Sequence, residues 1–296
     1  MPNHDHKQTN GKKLGWTILL NLVITISEYV GGIFSGSLAL ISDAGHNLSD
    51  VLSLVLSYFG ERISAKKATE KHSFGLKRFE VFTALINALS LWAIGIYIII
   101  EAVNRLESPE KISLGIMLPI AFIGLFGNVF SIIILKSNIE KNLNMKAAYL
   151  HLFYDAISSI AVIISAILIY FTNLVIFDIV ASAAISLLIF WSGFKIIKRA
   201  IHIFMQGVPE NIDFEDVYKT ICNIQGVKSV HDLHIWSISS EEIFLSCHVC
   251  IENDKTDNDK IIKEINSILK KYYNIYHTAI QIEEENMCNA NKLCTK

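Results

Sequence analysis

Long apolar segments dominate the first two thirds of the chain, separated by polar stretches that are short or turn-like at three of five connections. About 20 apolar residues cover the hydrocarbon core of a bilayer as a helix. The pattern therefore predicts six membrane spans. These spans are residues 14–34, 38–63, 79–103, 114–135, 146–171 and 175–197.

From residue 207 the pattern becomes that of a small globular domain. Apolar residues at three- and four-residue spacing predict helices over 214–224 and 258–272. Segments rich in β-branched and aromatic residues predict strands over 227–238, 243–252 and 276–284. The expected fold is an α+β ferredoxin-like sandwich. The predicted organisation is an N-terminal tail (1–13), a six-helix membrane domain (14–206), this α+β domain (207–285) and a cysteine-containing tail (286–296).

Composition supports an integral membrane protein. The 296 residues are 52% hydrophobic and only 18% charged, which is unusual for a soluble domain. The net charge of -2 gives no indication of a nucleic-acid partner. Lysine and arginine concentrate in 7–13, 62–78, 136–146 and 195–199, whereas the loops on the other side contain only Arg105 and Lys111. The positive-inside rule places both termini in the cytoplasm, and the short loops favour a bacterial plasma membrane.

Two intramembrane residue pairs carry the candidate chemistry. His46 and Asp50 in the second span, and His151 and Asp155 in the fifth, are each four residues apart and so share one helical face. An aspartate at the centre of a span costs about 2.5–3.5 kcal/mol on the insertion scale, and such residues normally mark an ion pathway. Two nitrogens and two oxygens suit tetrahedral zinc better than magnesium or calcium. The alternative is that these groups only hold helices together by hydrogen bonds.

Other polar residues within the spans permit two interpretations. Glu28, Asp43, Asn87 and Asn128 could orient the metal ligands or could serve as helix contacts. Asp178, near the start of the sixth span, is interpreted as a solvated carboxylate at a helix end.

The sequence resembles the cation diffusion facilitator family, specifically its bacterial zinc-exporting members. The matching segments are residues 36–46 with Asp50, 72–75 with 78–80, His151 with Asp155, and 231–236. The resemblance implies a homodimer of six-helix protomers with a cytoplasmic ferredoxin-like domain, exchanging cytosolic metal for external protons. It places the transport site on His46, Asp50, His151 and Asp155.

The resemblance also implies metal ligands in the cytoplasmic domain, although strand histidines facing solvent are the simpler alternative. The expected set is His231, His248, His277 and Glu283. A loop site that some members have would be incomplete here, with only Glu70 and His72 available. Further possible ligands are His4, His6, Cys288 and Cys294, whereas Cys222, Cys247 and Cys250 are expected to be small core residues.

The sequence thus predicts a zinc efflux transporter driven by protons. Histidine and aspartate bind metal only when deprotonated, so protonation of His46 or His151 from outside would expel the ion. The alternatives are a cadmium- or cobalt-preferring exporter, a membrane metal sensor, and a metal-gated channel. An enzyme is not expected, because a catalytic zinc usually has three protein ligands and an open position.

Overall fold

The computed structural model describes residues 5–136, 143–240, 242–251 and 257–283. The described residues up to 204 form six long helices. The last four of these include segments long and apolar enough to cross a membrane, namely Phe79–Glu107, Leu114–Ile133, Leu152–Thr172 and Ile176–Phe204. That α1 and α2 also cross it stays a prediction. The helices are α1 (Asp5–Ser35), α2 (Leu38–Ser64), α3 (Phe79–Glu107), α4 (Leu114–Lys136), α5 (Leu143–Thr172) and α6 (Ile176–Phe204).

One compact unit comprises residues 1–58 and 85–197. Within it α4 packs along both α1 and α5, and glycines allow the close approach. A Cβ at Gly127 of α4 would lie 2.3 Å from Ile24 of α1, and one at Gly95 of α3 would lie 3.2 Å from Phe190 of α6. Small residues at helix interfaces are typical of membrane bundles. The buried core is Ala39, Leu40, Leu91, Met117, Ala121, Val162, Ile163, Ala166, Ile185 and Ile189.

The turn between α1 and α2 requires a glycine. Gly36 has a φ of +72°, and a Cβ there would lie 3.0 Å from the Lys111 carbonyl oxygen. Left-handed backbone is readily adopted by glycine and strained for other residues. The short turn therefore starts α2 at Leu38 directly after α1 ends at Ser35.

The second unit comprises residues 59–84 and 198–296. Its elements follow the order α7 (Phe214–Cys222), β1 (Val227–Ser237), β2 (Ile243–Ile251), α8 (Asn258–Tyr273) and β3 (His277–Glu283). The described strands form a sheet in the order β1-β2-β3, with β1 antiparallel and β3 parallel to β2. This order is that of a ferredoxin-like βαββαβ fold without its first strand, so β2 and β3 pair directly.

The two faces of this sheet have different chemistry. Every second residue of a strand points to the same face, and the face with Leu245, Cys247 and Val249 packs on α7 and α8. Asp213 caps α7 and Asp257 caps α8, each through a side-chain oxygen that accepts from backbone N–H groups. The opposite face carries His248, and it is the face on which the histidine and glutamate side chains meet.

The segment between α2 and α3 packs against the C-terminal sheet. The Phe74 ring meets the Phe244 ring edge-on at 5.5 Å between centroids, and Lys77 Nζ lies 2.5 Å from Glu242 Oε1. Sequence order predicts this segment as part of the membrane domain, whereas the structure groups it with the cytoplasmic one. Aromatic and ionic contacts, which chain order does not reveal, cause the difference.

Candidate metal centres

The predicted intramembrane site brings α2 and α5 together. His46 Nε2 of α2 lies 3.7 Å from Asp155 Oδ1 of α5, with the Asp155 side chain completely buried and that of His46 23% exposed. The side chains of Asp50 and His151 lie outside the described residues. The structure therefore places one nitrogen and one oxygen ligand of the predicted four side by side, each from a different helix.

Asp43 links the same two helices one turn from these ligands. It is 1% exposed, and its carboxylate accepts hydrogen bonds from the hydroxyls of Ser158 and Ser159 of α5. Asp43 precedes His46 by three residues, and Ser158 follows Asp155 by three. This hydrogen bonding fixes the relative position of α2 and α5 where the ligands meet, as supporting residues of metal sites commonly do.

A second buried carboxylate approaches from α1. Glu28 is 1% exposed, and its Oε2 accepts a hydrogen bond from Asn47 Nδ2 of α2 at 2.8 Å. Across from it, Asn128 of α4 donates to the Ser159 hydroxyl at 3.5 Å. Of the polar residues with two open interpretations, Glu28, Asp43 and Asn128 therefore join one polar cluster that involves α1, α2, α4 and α5.

The interpretation of Asp178 as a solvated helix-end carboxylate is wrong. Its side chain is fully buried and accepts hydrogen bonds from the Ser37 hydroxyl at 2.6 Å and from the Leu38 backbone N–H at 2.7 Å. A further N–H, from Ala39, points to the same carboxylate. Asp178 of α6 thus caps the N-terminus of α2, where backbone donors lack partners and the helix dipole favours a negative charge.

Arg105 of α3 completes this support for the start of α2. It donates to the Gly36 carbonyl at 2.5 Å and pairs with Glu101 and Glu110, each at 3.0 Å. The helix that carries His46 is consequently held at its first turn by charged groups of α3 and α6. Sequence reasoning missed this role, because the cap is provided by a residue about 140 positions away.

The cytoplasmic candidate site is formed by strand register. His231 of β1 pairs with His248 of β2, and Cys250 of β2 pairs with Glu283 of β3. A bulge at Asp232, whose φ is +51°, places one extra residue in β1 between the pairs His231–His248 and His234–Ser246. Bulges re-aim side chains locally, and here His231 is 5% exposed.

Glu283 lies between both histidines. Its Oε2 is 3.1 Å from His231 Nε2, and its Oε1 is 2.8 Å from His248 Nδ1. Among the described residues, one ligand atom each of His231, Cys250 and Glu283 lie within 4.8 Å of one another. Three of the four predicted cytoplasmic residues, His231, His248 and Glu283, are thus brought together.

His277 lies apart from this group. It stands six residues before Glu283 on β3, which at about 3.3 Å per residue amounts to about 20 Å along the strand. Its ring packs on Phe244 at 4.5 Å between centroids. The structure therefore gives His277 an aromatic contact within this chain.

Cys250 was not predicted to lie beside the histidines. Its Sγ is 3.7 Å from His231 Nδ1, and the residue is completely buried. The available signal was its position two residues after His248, which puts both on one face of the strand. Cys247 faces the core as expected, and burial, with a smaller effect of Cys222, raises its pKa to about 12.

Among the described residues, the remaining candidates add no further ligand group. Glu70 and His72 are both exposed in the loop before α3. Of the predicted terminal ligands, His4, Cys288 and Cys294 lie outside the described residues, as does the side chain of His6 at the start of α1.

Both parts of the chain match domains of known protein families. Residues 16–205 match the cation efflux transmembrane domain, and residues 209–285 match the cation efflux protein cytoplasmic domain. A cadmium, cobalt and zinc/H(+)-K(+) antiporter of Bacillus subtilis is 39% identical over 289 residues, covering 95% of this chain and 92% of that protein.

Two further relatives have the same extent. Metal cation efflux system protein CzcD of Cupriavidus metallidurans is 36% identical over 281 residues, 95% of this chain and 89% of its own. Zinc transporter ZitB of Yersinia pestis is 34% identical over 279 residues, 94% and 89% of the two chains. Among solved structures, the metal-bound C-terminal domain of the CzcD transporter of Cupriavidus metallidurans is 38% identical, matches 24% of this chain and 99% of that one, and has a TM-score of 0.22. This chain is a multi-pass membrane protein with a cytoplasmic C-terminal domain, and it belongs to the cation efflux, or cation diffusion facilitator, family.

Proposed function

We propose that this protein exports zinc from the cytoplasm in exchange for protons, through a site formed by His46, Asp50, His151 and Asp155. The observation that carries the proposal is the 3.7 Å separation of His46 Nε2 and Asp155 Oδ1. Two ligand atoms about 2.0–2.1 Å from one tetrahedral zinc lie about 3.4 Å apart. The two side chains therefore have nearly the spacing that a shared zinc ion requires.

Export of a divalent cation needs an energy source. Moving two positive charges out against 100 mV costs about 4.6 kcal/mol, at about 2.3 kcal/mol per charge. One proton entering recovers about half of this, and a pH gradient adds to it. Because histidine and aspartate must lose their protons to bind metal, protonation from the outside displaces the ion and deprotonation on the inside permits reloading.

The names of the relatives support this assignment. The Bacillus subtilis protein is named as a cadmium, cobalt and zinc/H(+)-K(+) antiporter, and the Yersinia pestis protein as a zinc transporter. The two-histidine, two-aspartate set favours zinc by its donor chemistry, with cadmium and cobalt as secondary substrates. All of these relatives are named for cation transport or efflux, and none for an enzymatic reaction.

The cytoplasmic group is proposed as a regulatory metal site. His231 and His248 each provide a nitrogen within 3.1 Å of a Glu283 carboxylate oxygen. We place the protein as a homodimer in the plasma membrane, with its N-terminus also in the cytoplasm, as the distribution of lysine and arginine indicates.

The test is zinc flux in proteoliposomes under an imposed pH gradient. Native protein should move zinc against the proton flux, and both Asp50→Ala and Asp155→Ala should abolish it. Tyr154→Phe is the matched control, because Tyr154 adjoins Asp155 but is 64% exposed, and it should retain native flux. Zinc binding without movement would favour the sensor, and movement indifferent to protons would favour the channel.

A further inference from the structure

Glu28 is a buried carboxylate that the metal site does not use. It is 1% exposed, and only Oε2 has a hydrogen-bond donor, Asn47 Nδ2 at 2.8 Å. Within the described part of the chain, Oε1 has no hydrogen-bond partner. An ionised carboxylate in such surroundings is costly unless a cation neutralises it.

The space around Oε1 is created by a glycine. A Cβ at Gly124 of α4 would lie 2.1 Å from Glu28 Oε1 and 3.5 Å from the Ser159 hydroxyl. Any other residue at position 124 would force the carboxyl group to move. The bundle thus leaves Oε1 room opposite α4 instead of filling the position with a side chain.

The charged groups that face Glu28 are themselves acidic. Asp43 of α2 and Asp155 of α5 both repel a negative charge on Glu28, and the residues near it on α4, Gly124 and Asn128, carry no charge. No described lysine or arginine forms a salt bridge with Glu28. A buried carboxyl group without a positive partner avoids the cost of an unpaired buried charge when it carries a proton.

We propose that Glu28 is a proton-binding residue of the exchange, at a position separate from the metal ligands. This inference rests on the proposed zinc–proton exchange. A metal ion loaded from the cytoplasm and held at Asp155 adds positive charge close to Glu28, so the carboxylic O–H bond breaks, the electron pair stays on the carboxylate, and the proton passes to water on the cytoplasmic side. When the metal departs to the outside, the carboxylate takes up a proton from water on that side.

Asn47 connects this proton to the metal site. It directly follows His46 on α2 and donates to Glu28 Oε2. A carboxylate accepts this hydrogen bond more strongly than a protonated acid does. Metal binding at His46, by ionising Glu28, therefore strengthens the hydrogen bond that joins α2 to α1.

The test is the pH dependence of zinc binding by the full-length protein in detergent. Glu28→Gln should still bind zinc, but its plot of log Kd against pH should be shallower than native by about one, with about one proton fewer released per zinc. Glu107→Gln, which neutralises an exposed acid at the end of α3, should keep the native slope. An unchanged slope and proton count in Glu28→Gln would overturn the proposal.

Native protein provides an independent measurement. Infrared difference spectra should show loss of a protonated carboxylic carbonyl band when zinc is added, and the absence of such a band would overturn the proposal without any variant. Repeating the binding series in K+ and in choline tests whether K+ and not the proton is the exchanged cation. A zinc Kd that depends on the K+ concentration at constant pH would also overturn the proposal. Asp155→Asn in the same assay tests the proposed function by itself, because only that variant should lose zinc binding.

Discussion

The intramembrane and cytoplasmic candidate sites use the same donor types but hold them in opposite ways. In the membrane, His46 Nε2 and Asp155 Oδ1 are 3.7 Å apart, beyond hydrogen-bond distance. In the cytoplasmic domain, Glu283 contacts the two histidines at 2.8 and 3.1 Å, within that distance. The intramembrane pair is spaced for a shared ion, whereas the Glu283 carboxylate already contacts both histidines.

The difference in ligand spacing fits a transport role for the intramembrane site and a structural role for the cytoplasmic one. Ligand atoms 3.7 Å apart have the spacing at which an ion can be held between them, which suits a transported substrate. A site whose carboxylate bridges two histidines must exchange those contacts for metal bonds. We therefore expect substitutions of the intramembrane metal ligands to change flux with little loss of stability, and substitutions of the cytoplasmic group to change stability first.

The largest expected effect is on flux. Asp155→Asn removes a charged ligand while preserving side-chain size, and zinc flux in proteoliposomes should fall by at least about 100-fold, since even supporting residues of metal sites contribute 10–100-fold. The midpoint of thermal unfolding in detergent should not decrease. A large loss of thermal stability with residual flux would contradict the comparison.

The next effect is on the helix that carries the site. Asp178→Ala removes the cap of α2 and leaves its buried backbone N–H groups without an acceptor, which should cost about 2 kcal/mol. Flux should fall as well, because His46 lies about two helical turns from Leu38, the first residue of α2. Glu110→Ala, which removes a 58% exposed partner of Arg105, is the control and should cost about 0.5 kcal/mol. Equal losses in both variants would exclude a capping role.

Sequence reasoning succeeded where the pattern is local. Helical spacing predicts that His46 shares a helical face with Asp50, and His151 with Asp155. The residue pattern also predicts β1, β2, α8 and β3 within a few residues of their observed bounds. A local periodicity determines which face a residue occupies, so these predictions needed no knowledge of distant contacts.

It failed where a partner lies far along the chain. Asp178 looks like an ordinary helix-end acid until the start of α2 is placed beside it. Cys250 is buried as predicted, but its approach to His231 becomes visible only once β1 is placed beside β2. The grouping of residues 59–84 with the cytoplasmic domain likewise depends on contacts that no local pattern encodes.

The cytoplasmic site should respond in stability. Glu283→Gln weakens the acceptor shared by His231 and His248, and the free energy of unfolding of the metal-free domain should fall by about 1–2 kcal/mol. Flux at saturating zinc should change by less than about threefold. His277→Gln, which alters the same strand away from the group, should leave zinc binding by this domain unchanged. Loss of zinc binding in His277→Gln would show that the site extends along β3 or across a dimer.

The smallest effect on function is expected at Cys247, on the opposite face of the same sheet. Burial raises its pKa from 9.0 to about 12, so at pH 8 its thiolate fraction, and hence its alkylation rate, should be about 1000-fold lower in the folded than in the urea-unfolded chain. Because the folded pKa is the higher one, its contribution to stability is complete below pH 9 and is lost as the pH rises toward 12. Peptide mapping after alkylation measures the rate, and Cys247→Ala should transport zinc normally. Rapid labelling of Cys247 in the folded protein would mean that the helix-covered face opens, and the contrast between a closed core face and a metal-binding face would then fail.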